Sequence, residues 1–133
     1  MSEIEDNKAL VKRLYEGFAA GDLGAVLGTM SPGVQWTEAE GYPYAGTYEG
    51  HDAVVAGVFG RLATEWDGYT AVPENLVAEG NTVVAIGVYQ GRYKATGRSF
   101  KAPFVHVWTV EDGKLARFVQ HTDTVLVQAA LGE

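Results

Sequence analysis

The 133-residue chain is acidic, with a formal net charge of −7 and an isoelectric point near 4.9. This charge disfavours a nucleic-acid partner, because nucleic-acid binding depends mainly on Lys and Arg contacts to phosphates. The absence of cysteine excludes disulfides, thiol nucleophiles and thiolate metal sites. No apolar run approaches the ~20 residues of a membrane span, and the N-terminus opens acidic, unlike a secretory signal. We therefore expect one cytoplasmic domain over residues 1–133, with no membrane partner.

The N-terminal segment predicts two helices. Ser2 and Glu5 fit a capping box, and the apolar stripe that follows ends at Gly21, a residue suited to a left-handed cap. Asp22 is placed to cap a second, short helix over Leu23–Met30.

The next segment changes from helical spacing to alternation. Val34–Glu38 predicts a strand with Trp36 and Glu38 on one face. The Glu38 carboxylate then lies either at the solvent-exposed end of the strand or in a pocket. The segment Glu40–Gly50 contains three tyrosines among glycines and a proline, and it predicts an irregular loop suited to covering a ligand.

A third helix is predicted from His51 to the residue before Trp66, and the pattern then changes to period two. The predicted strands are Tyr69–Ala78, Thr82–Lys94, Ser99–Val110 and Lys114–Thr122, followed by a short helix Thr124–Leu131. Three helices followed by long antiparallel strands predict an α+β fold, with the helices packed on the concave face of a strongly curved sheet.

The last hairpin, closed by Glu111-Asp112-Gly113, decides which side chains share a face. A strict two-residue turn would place His106 opposite Val119, whereas a three-residue loop with a glycine bulge would place it opposite Gln120. We favour the second register because it gathers an apolar surface with a few converging polar groups, as a small-molecule pocket requires. That face then holds Phe104, His106, Trp108, Phe118, Gln120 and Thr122.

The order of elements and several motifs resemble the nuclear transport factor 2-like superfamily, and within it ketosteroid-isomerase-like and SnoaL-like polyketide-cyclase proteins. The motifs are Trp36-Thr37-Glu38, the run Pro43–Gly50 into the third helix, Phe104–Trp108, Asp112-Gly113-Lys114 and Phe118–Asp123. The resemblance covers essentially the whole chain. It implies a single SnoaL-like domain of cystatin-like α+β architecture, shaped as a cone around a hydrophobic ligand pocket.

The resemblance also implies roles for individual residues. Isomerase-like members place a carboxylate base just after the first strand, a position held here by Glu38. Glu40 is the second candidate, but the alternating pattern of the strand fits it less well. Cyclase-like members pair a histidine at the position of His106 with an acid where this chain has Gln120. Because a neutral amide cannot act as a general base, the resemblance implies for Gln120 only hydrogen bonding to a substrate oxygen. Asp123 fits a helix cap better than a replacement acid.

Together these observations predict a cofactor-free isomerase or cyclase acting on a small hydrophobic carbonyl compound. Glu38 would be the base, and His106, helped by Gln120, would polarise the carbonyl. The alternative is a non-catalytic binding or dimerisation module, in which His106 and Gln120 bond to each other. The predicted ligand contacts are Trp36, Tyr42, Tyr44, Tyr89, Phe104, Trp108 and Phe118.

Two further expectations concern partners. No metal or cofactor is expected, because the three histidines lack metal-ligand spacing and no phosphate-binding glycine loop is present. A homodimer is expected because the outer side of the sheet is too apolar for solvent. That outer side is formed by Val84, Ile86, Val88, Val105, Val107 and Val119.

Overall fold

A computed structural model describes residues 2–132 as a curved six-stranded sheet with helices packed on it. The helices are α1 (Glu3–Ala20), α2 (Leu23–Gly28), α3 (residues 51–65) and α4 (Thr124–Leu131). The strands are β1 (Met30–Glu38), β2 (Gly46–Glu49), β3 (Trp66–Glu79), β4 (Thr82–Tyr93), β5 (Ser99–Glu111) and β6 (Lys114–Thr122). The predicted α+β fold is confirmed. No helix within residues 2–132 is both long enough and apolar enough to cross a membrane.

The helix starts follow the predicted capping chemistry. The Glu5 backbone N–H donates to the Ser2 hydroxyl at 3.1 Å, and Asp22 accepts a hydrogen bond from the first turn of α2. The second helix ends at Gly28, earlier than expected, because Met30 is already the first residue of β1.

Two segments outside the predicted strands belong to strands. Residues 31–33 lie within β1, and Pro32 falls in the irregular stretch of its ladder, where the missing N–H costs little. Gly46–Glu49, predicted as irregular, forms β2 and pairs antiparallel with β1. Glycine and proline predicted breaks at both places, and at Gly46–Glu49 pairing with β1 overrides this local preference. Similarly, β3 begins at Trp66 rather than Tyr69.

The strand order is β2-β1-β6-β5-β4-β3. The sheet is mixed rather than wholly antiparallel as predicted, because β1 and β6 run parallel while the other neighbours are antiparallel. Parallel pairing aligns Trp36 with Phe118, and their rings stack with centroids 3.9 Å apart. The strand that ends in Glu38 therefore lies beside the strand that carries Gln120.

The β5–β6 hairpin adopts the favoured register, with His106 opposite Gln120. The turn that produces this register differs from the expected three-residue loop. Asp112 and Gly113 form a two-residue turn with positive φ values of 51° and 74°, and the extra residue is Ala116, inserted in β6 just after the turn. This single bulge sets which face every later residue of β6 presents.

The third helix is continuous but contains a π-helical turn. Its α-helical ends, His51–Val54 and Gly60–Glu65, flank the turn Val55–Phe59. A side chain at Gly57 would lie 2.2 Å from the Tyr48 ring, so glycine permits β2 to pack closely against the turn. The π-turn also brings Phe59 edge-on against Trp36, with ring centroids 5.1 Å apart. The apolar stripe of this helix predicted its length but not its π-turn.

Candidate active site

A buried cavity of about 40 Å³ lies between the inner face of the sheet and the helices α1 and α3. Eight of the predicted site residues line it: Trp36, Glu38, Tyr42, Tyr89, His106, Trp108, Phe118 and Gln120. Glu38, His106 and Gln120 are all buried among these aromatic rings. The three residues predicted to act chemically therefore face the same small space.

Two residues predicted to contact a ligand do not line this cavity. Phe104 lies behind it and stacks on the His106 ring, with centroids 4.0 Å apart. Tyr44 is fully occupied elsewhere, because its hydroxyl donates to Glu65 at 2.7 Å and accepts from the Trp66 indole at 2.8 Å. Tyr44 thus ties the β1–β2 connection to α3 and β3 instead of facing the cavity as a ligand contact.

His106 is held between two tyrosines. Its Nδ1 lies 2.6 Å from the Tyr15 hydroxyl, and its Nε2 lies 2.5 Å from the Tyr89 hydroxyl. Burial, and to a smaller extent the nearby His121, lowers the pKa of His106 well below its usual value. The ring is therefore neutral near pH 7, with one nitrogen donating and the other accepting.

A count of hydrogens in this network leaves one hydroxyl hydrogen free. Tyr15 accepts from the Trp108 indole at 3.1 Å, and Tyr89 accepts from the Gln120 amide at 2.9 Å. Neutral His106 takes a hydrogen from one tyrosine and gives one to the other. The tyrosine that accepts from His106 keeps an O–H that no member of this network receives. The tautomer of His106 therefore decides whether Tyr15 or Tyr89 offers that O–H.

The contacts of His106 and Gln120 differ from both sequence-based expectations. The two side chains face each other in register but do not bond, since Tyr89 lies between them. Gln120 instead accepts from the Ala39 backbone N–H at 3.0 Å, which fixes the orientation of its amide. His106 has both nitrogens engaged by phenols, so it orients hydroxyl groups and leaves no free nitrogen for a ligand.

Glu38 is the buried acid of the site, with only 4 % of its surface exposed. Its Oε2 makes no hydrogen bond with any residue between 2 and 132. Burial raises the pKa of Glu38 to about 8, and the neighbouring Trp36 indole opposes part of this shift. The Trp36 N–H itself makes no well-formed hydrogen bond within the described chain. Glu38 thus has a buried carboxyl oxygen without a hydrogen-bond partner among the described residues, and burial favours its protonated form near pH 7.

The other acids considered from the sequence lie outside the cavity. Glu40 is exposed. Asp123 is exposed and caps α4, accepting from the Leu126 backbone N–H at 3.4 Å. Across residues 2–132, no group of three or more His, Asp or Glu side chains is arranged to hold a metal ion.

Sequence reasoning missed two tyrosines of the site. Tyr15 falls within the apolar stripe that predicts α1, and Tyr69 begins a predicted strand, so neither stands out in the sequence as a site residue. The Tyr69 hydroxyl lies 2.5 Å from that of Tyr42, and both line the cavity. Burial, and then the charge of Glu38, raises the pKa of Tyr42. A polar-tipped aromatic residue on a core-facing stripe is the one sequence signal that could have identified Tyr15.

Comparisons with known proteins agree with this architecture. The chain is 42 % identical to an NTF2-like protein from Burkholderia thailandensis, covering 94 % of this chain and 96 % of that one, with a TM-score of 0.91. It is 32 % identical to an NTF2-like protein of unknown function from Burkholderia pseudomallei, covering 100 % of both chains, with a TM-score of 0.89. It is 28 % identical to TerC, co-crystallised with polyporic acid, covering 96 % of this chain and 99 % of TerC, with a TM-score of 0.86.

The fold and the buried pocket thus define an NTF2-like α+β protein. Residues 11–118 match the SnoaL-like domain model, and the chain belongs to the SnoaL-like domain family. The resemblance inferred from the sequence motifs is confirmed. No curated protein matches the chain.

Proposed function

We propose that this chain is a cofactor-independent enzyme that moves a proton on a small hydrophobic carbonyl compound, and thereby isomerises, cyclises or dehydrates it. The observation that supports this most directly is the unpaired, buried carboxyl of Glu38 in a cavity that also contains hydroxyl donors. Burying a carboxyl group without a partner is costly, and such a cost is typical of a group kept for chemistry.

Glu38 is the proposed base. With a pKa of about 8, both its protonated and ionised forms are populated near neutral pH, which suits a group that takes a proton and returns it. Aromatic side chains make up most of the cavity lining around this carboxyl group.

The proposed donor to the developing enolate oxygen is the free hydroxyl of Tyr15 or Tyr89. His106 is a positioning residue in this mechanism, because its tautomer selects which tyrosine donates. Gln120 fixes Tyr89 from the other side. Preorganised donors of this kind stabilise a negative charge that develops only in the transition state.

A small organic ligand is supported by one relative. TerC, 28 % identical to this chain, was co-crystallised with polyporic acid. The cytoplasmic location predicted from the sequence stays a prediction, as does the absence of a nucleic-acid partner.

The test of the proposed function measures binding and proton exchange on the same compounds. Wild-type protein is incubated in D₂O with a panel of enones, polyketide-like esters and steroids. Binding is followed by the intrinsic fluorescence of the three tryptophans, of which Trp36 and Trp108 line the cavity. We expect at least one bound compound to exchange hydrogen for deuterium beside its carbonyl, detected by NMR, or to be converted. Binding without exchange or conversion anywhere in the panel would favour the non-catalytic binding module.

We also propose that the chain forms a homodimer through the outer face of its sheet. Val72, Val77 and Ile86 are exposed there on neighbouring strands. Sedimentation at micromolar concentration is expected to give a dimer, and Ile86→Lys is expected to give a monomer because it places a charge in the apolar contact. Val125→Lys, on α4, is the matched control and should leave the dimer intact. A monomeric wild type would contradict the proposal.

A further inference from the structure

The polar side chains around the inner cavity have more hydrogens than their neighbours accept. The network around His106 leaves the O–H of either Tyr15 or Tyr89 without an acceptor. Tyr42 and Tyr69 have two hydroxyl hydrogens and share one hydrogen bond, so a second O–H is left over. Neither of these two hydroxyls bonds to a further residue between 2 and 132. All five side chains line the same cavity.

The Trp36 indole and the Glu38 carboxyl add to this excess. The Trp36 N–H is buried and has no hydrogen-bond partner among residues 2–132. In its protonated form, Glu38 contributes one more hydrogen. Its Oε2 is the one buried side-chain oxygen without a partner in the same part of the chain. Hydrogens without an acceptor therefore outnumber free acceptors at this site.

The segment that carries Tyr42 is held in place on both sides. The Ala39 backbone N–H donates to Gln120 Oε1 at 3.0 Å, and the Gln128 amide of α4 donates to the Gly41 carbonyl oxygen at 2.6 Å. Tyr42 follows directly, and only 3 % of its surface is exposed. Its hydroxyl is therefore kept beside the cavity, away from solvent.

This excess of hydrogens indicates which head group the cavity accepts. The volume of about 40 Å³ suits one small polar group. A buried donor without an acceptor is costly. A carbonyl oxygen brings lone pairs and no hydrogen, so it pairs with donors that are otherwise unmet. A hydroxyl group brings a further hydrogen, which competes for the few acceptors present.

We propose that Trp36, Tyr42 and Tyr69 make this site selective for a head group whose oxygen carries no hydrogen, so that it binds a ketone or an ester and discriminates against the matching alcohol. This inference rests on the proposed function for the assignment of the cavity as the ligand site. It adds the selectivity of that site and the residues that determine it.

The first measurement compares cyclohexanone with cyclohexanol, which share a ring and differ at the head oxygen. At about pH 6.5 the ketone is expected to bind wild type about tenfold more tightly, because the hydrogen of the alcohol competes for an acceptor. The Trp36 indole N–H signal, followed by NMR and assigned as the one missing from Trp36→Phe, should move downfield with the ketone. Equal affinities, or a Trp36 signal that the ketone does not move, would overturn the selectivity.

The second measurement removes the hydroxyl pair. Tyr42→Phe/Tyr69→Phe keeps both rings, and we expect it to weaken cyclohexanone binding about tenfold and to leave cyclohexanol binding nearly unchanged. Tyr93→Phe, which removes a hydroxyl outside the cavity, is the matched control and should bind both probes as wild type does. A double variant that binds both probes equally more weakly would show that the hydroxyls support the fold and do not select the head group.

Glu38 is the one cavity group whose charge changes between about pH 6.5 and about pH 9.5. Burial raises the pKa of the four cavity tyrosines and lowers that of His106, so all of these stay neutral. The side chains that α3 contributes to the lining are apolar: Val58, Phe59 and Leu62.

The third measurement uses this change of charge. At about pH 9.5, Glu38 has lost its hydrogen and its carboxylate accepts the alcohol hydrogen. The ratio of ketone affinity to alcohol affinity is therefore expected to fall about tenfold from its value at about pH 6.5. In Glu38→Gln the ratio should be the same at both pH values. A wild-type ratio that does not change would overturn the explanation by excess hydrogens.

The selectivity and the enzyme proposal fail separately. Deuterium exchange into a ketone, together with equal affinities for cyclohexanone and cyclohexanol, would overturn the selectivity and leave the enzyme proposal standing. Selective binding of cyclohexanone that the double tyrosine variant abolishes, without exchange or conversion of any compound, would support the selectivity and count against the enzyme.

Discussion

Replacing Glu38 by glutamine is expected to lower turnover by about 100-fold or more while ligand affinity changes little. Glutamine keeps the shape of the side chain but cannot accept the proton, and a well-placed general base contributes about 10²–10⁴-fold to rate. The steady-state measurement compares kcat with the dissociation constant of the same compound. If Glu38→Gln turns over as fast as wild type, Glu38 is not the base.

The matched control is Glu40→Gln, which removes a carboxylate two positions away on the exposed side of the same segment. It is expected to keep wild-type turnover.

The pH profile of the wild type supplies a second signature of the base. Because the pKa of Glu38 is about 8, kcat/KM of the wild type should rise with pH up to that value and level off above it. A rate that falls across this range would mean that Glu38 acts as the acid instead.

The same carboxyl group is expected to make the protein less stable as pH rises from about 4.5 to about 8. In the unfolded chain Glu38 ionises near its ordinary value of 4.5, whereas in the folded protein it keeps its proton up to about 8. Between these values the folded state binds more protons than the unfolded state, so the free energy of unfolding falls. The integrated loss is about 5 kcal/mol for this one group.

Urea unfolding of wild type and Glu38→Gln at pH 4.5 and pH 8 measures this loss. The variant has no carboxyl group to ionise, so its stability relative to wild type should improve by several kcal/mol between the two pH values. If the new amide lowers stability by an amount independent of pH, that amount is the same at both pH values and cancels in the comparison. Glu40→Gln should show no such change. An equal difference between Glu38→Gln and wild type at both pH values would show that Glu38 ionises normally in the folded protein.

The sequence predicted those features that local patterns determine. Ser2 and Asp22 could be assigned as caps because a cap depends on a few neighbouring residues. The register at His106 could be chosen because only one pairing gathers the aromatic and polar residues on one face. The bulge at Ala116 that produces this register could not be predicted, since nothing local distinguishes it from the expected loop.

The features that the sequence could not predict depend on contacts between distant segments. Tyr42 and Tyr44 are two positions apart, and both are buried, yet one lines the cavity and the other bonds to Glu65. No periodic rule applies to them because the segment between β1 and β2 is irregular. Tyr15 reaches the site only because α1 lies across the sheet at His106, a packing arrangement that the stripe of α1 does not specify.

The parallel pairing of β1 with β6 also has a consequence for how the chain folds. Trp36 lies near the beginning of the sequence and Phe118 near its end, so nearly the entire sheet separates these partners along the chain. Contacts of such high sequence separation slow folding, because a long loop must close before they form. During synthesis, β1 emerges well before its neighbour and presents an unpaired edge that can associate with other nascent chains. The carboxyl of Glu38 then becomes enclosed only when β6 docks, which makes the pocket a late product of folding.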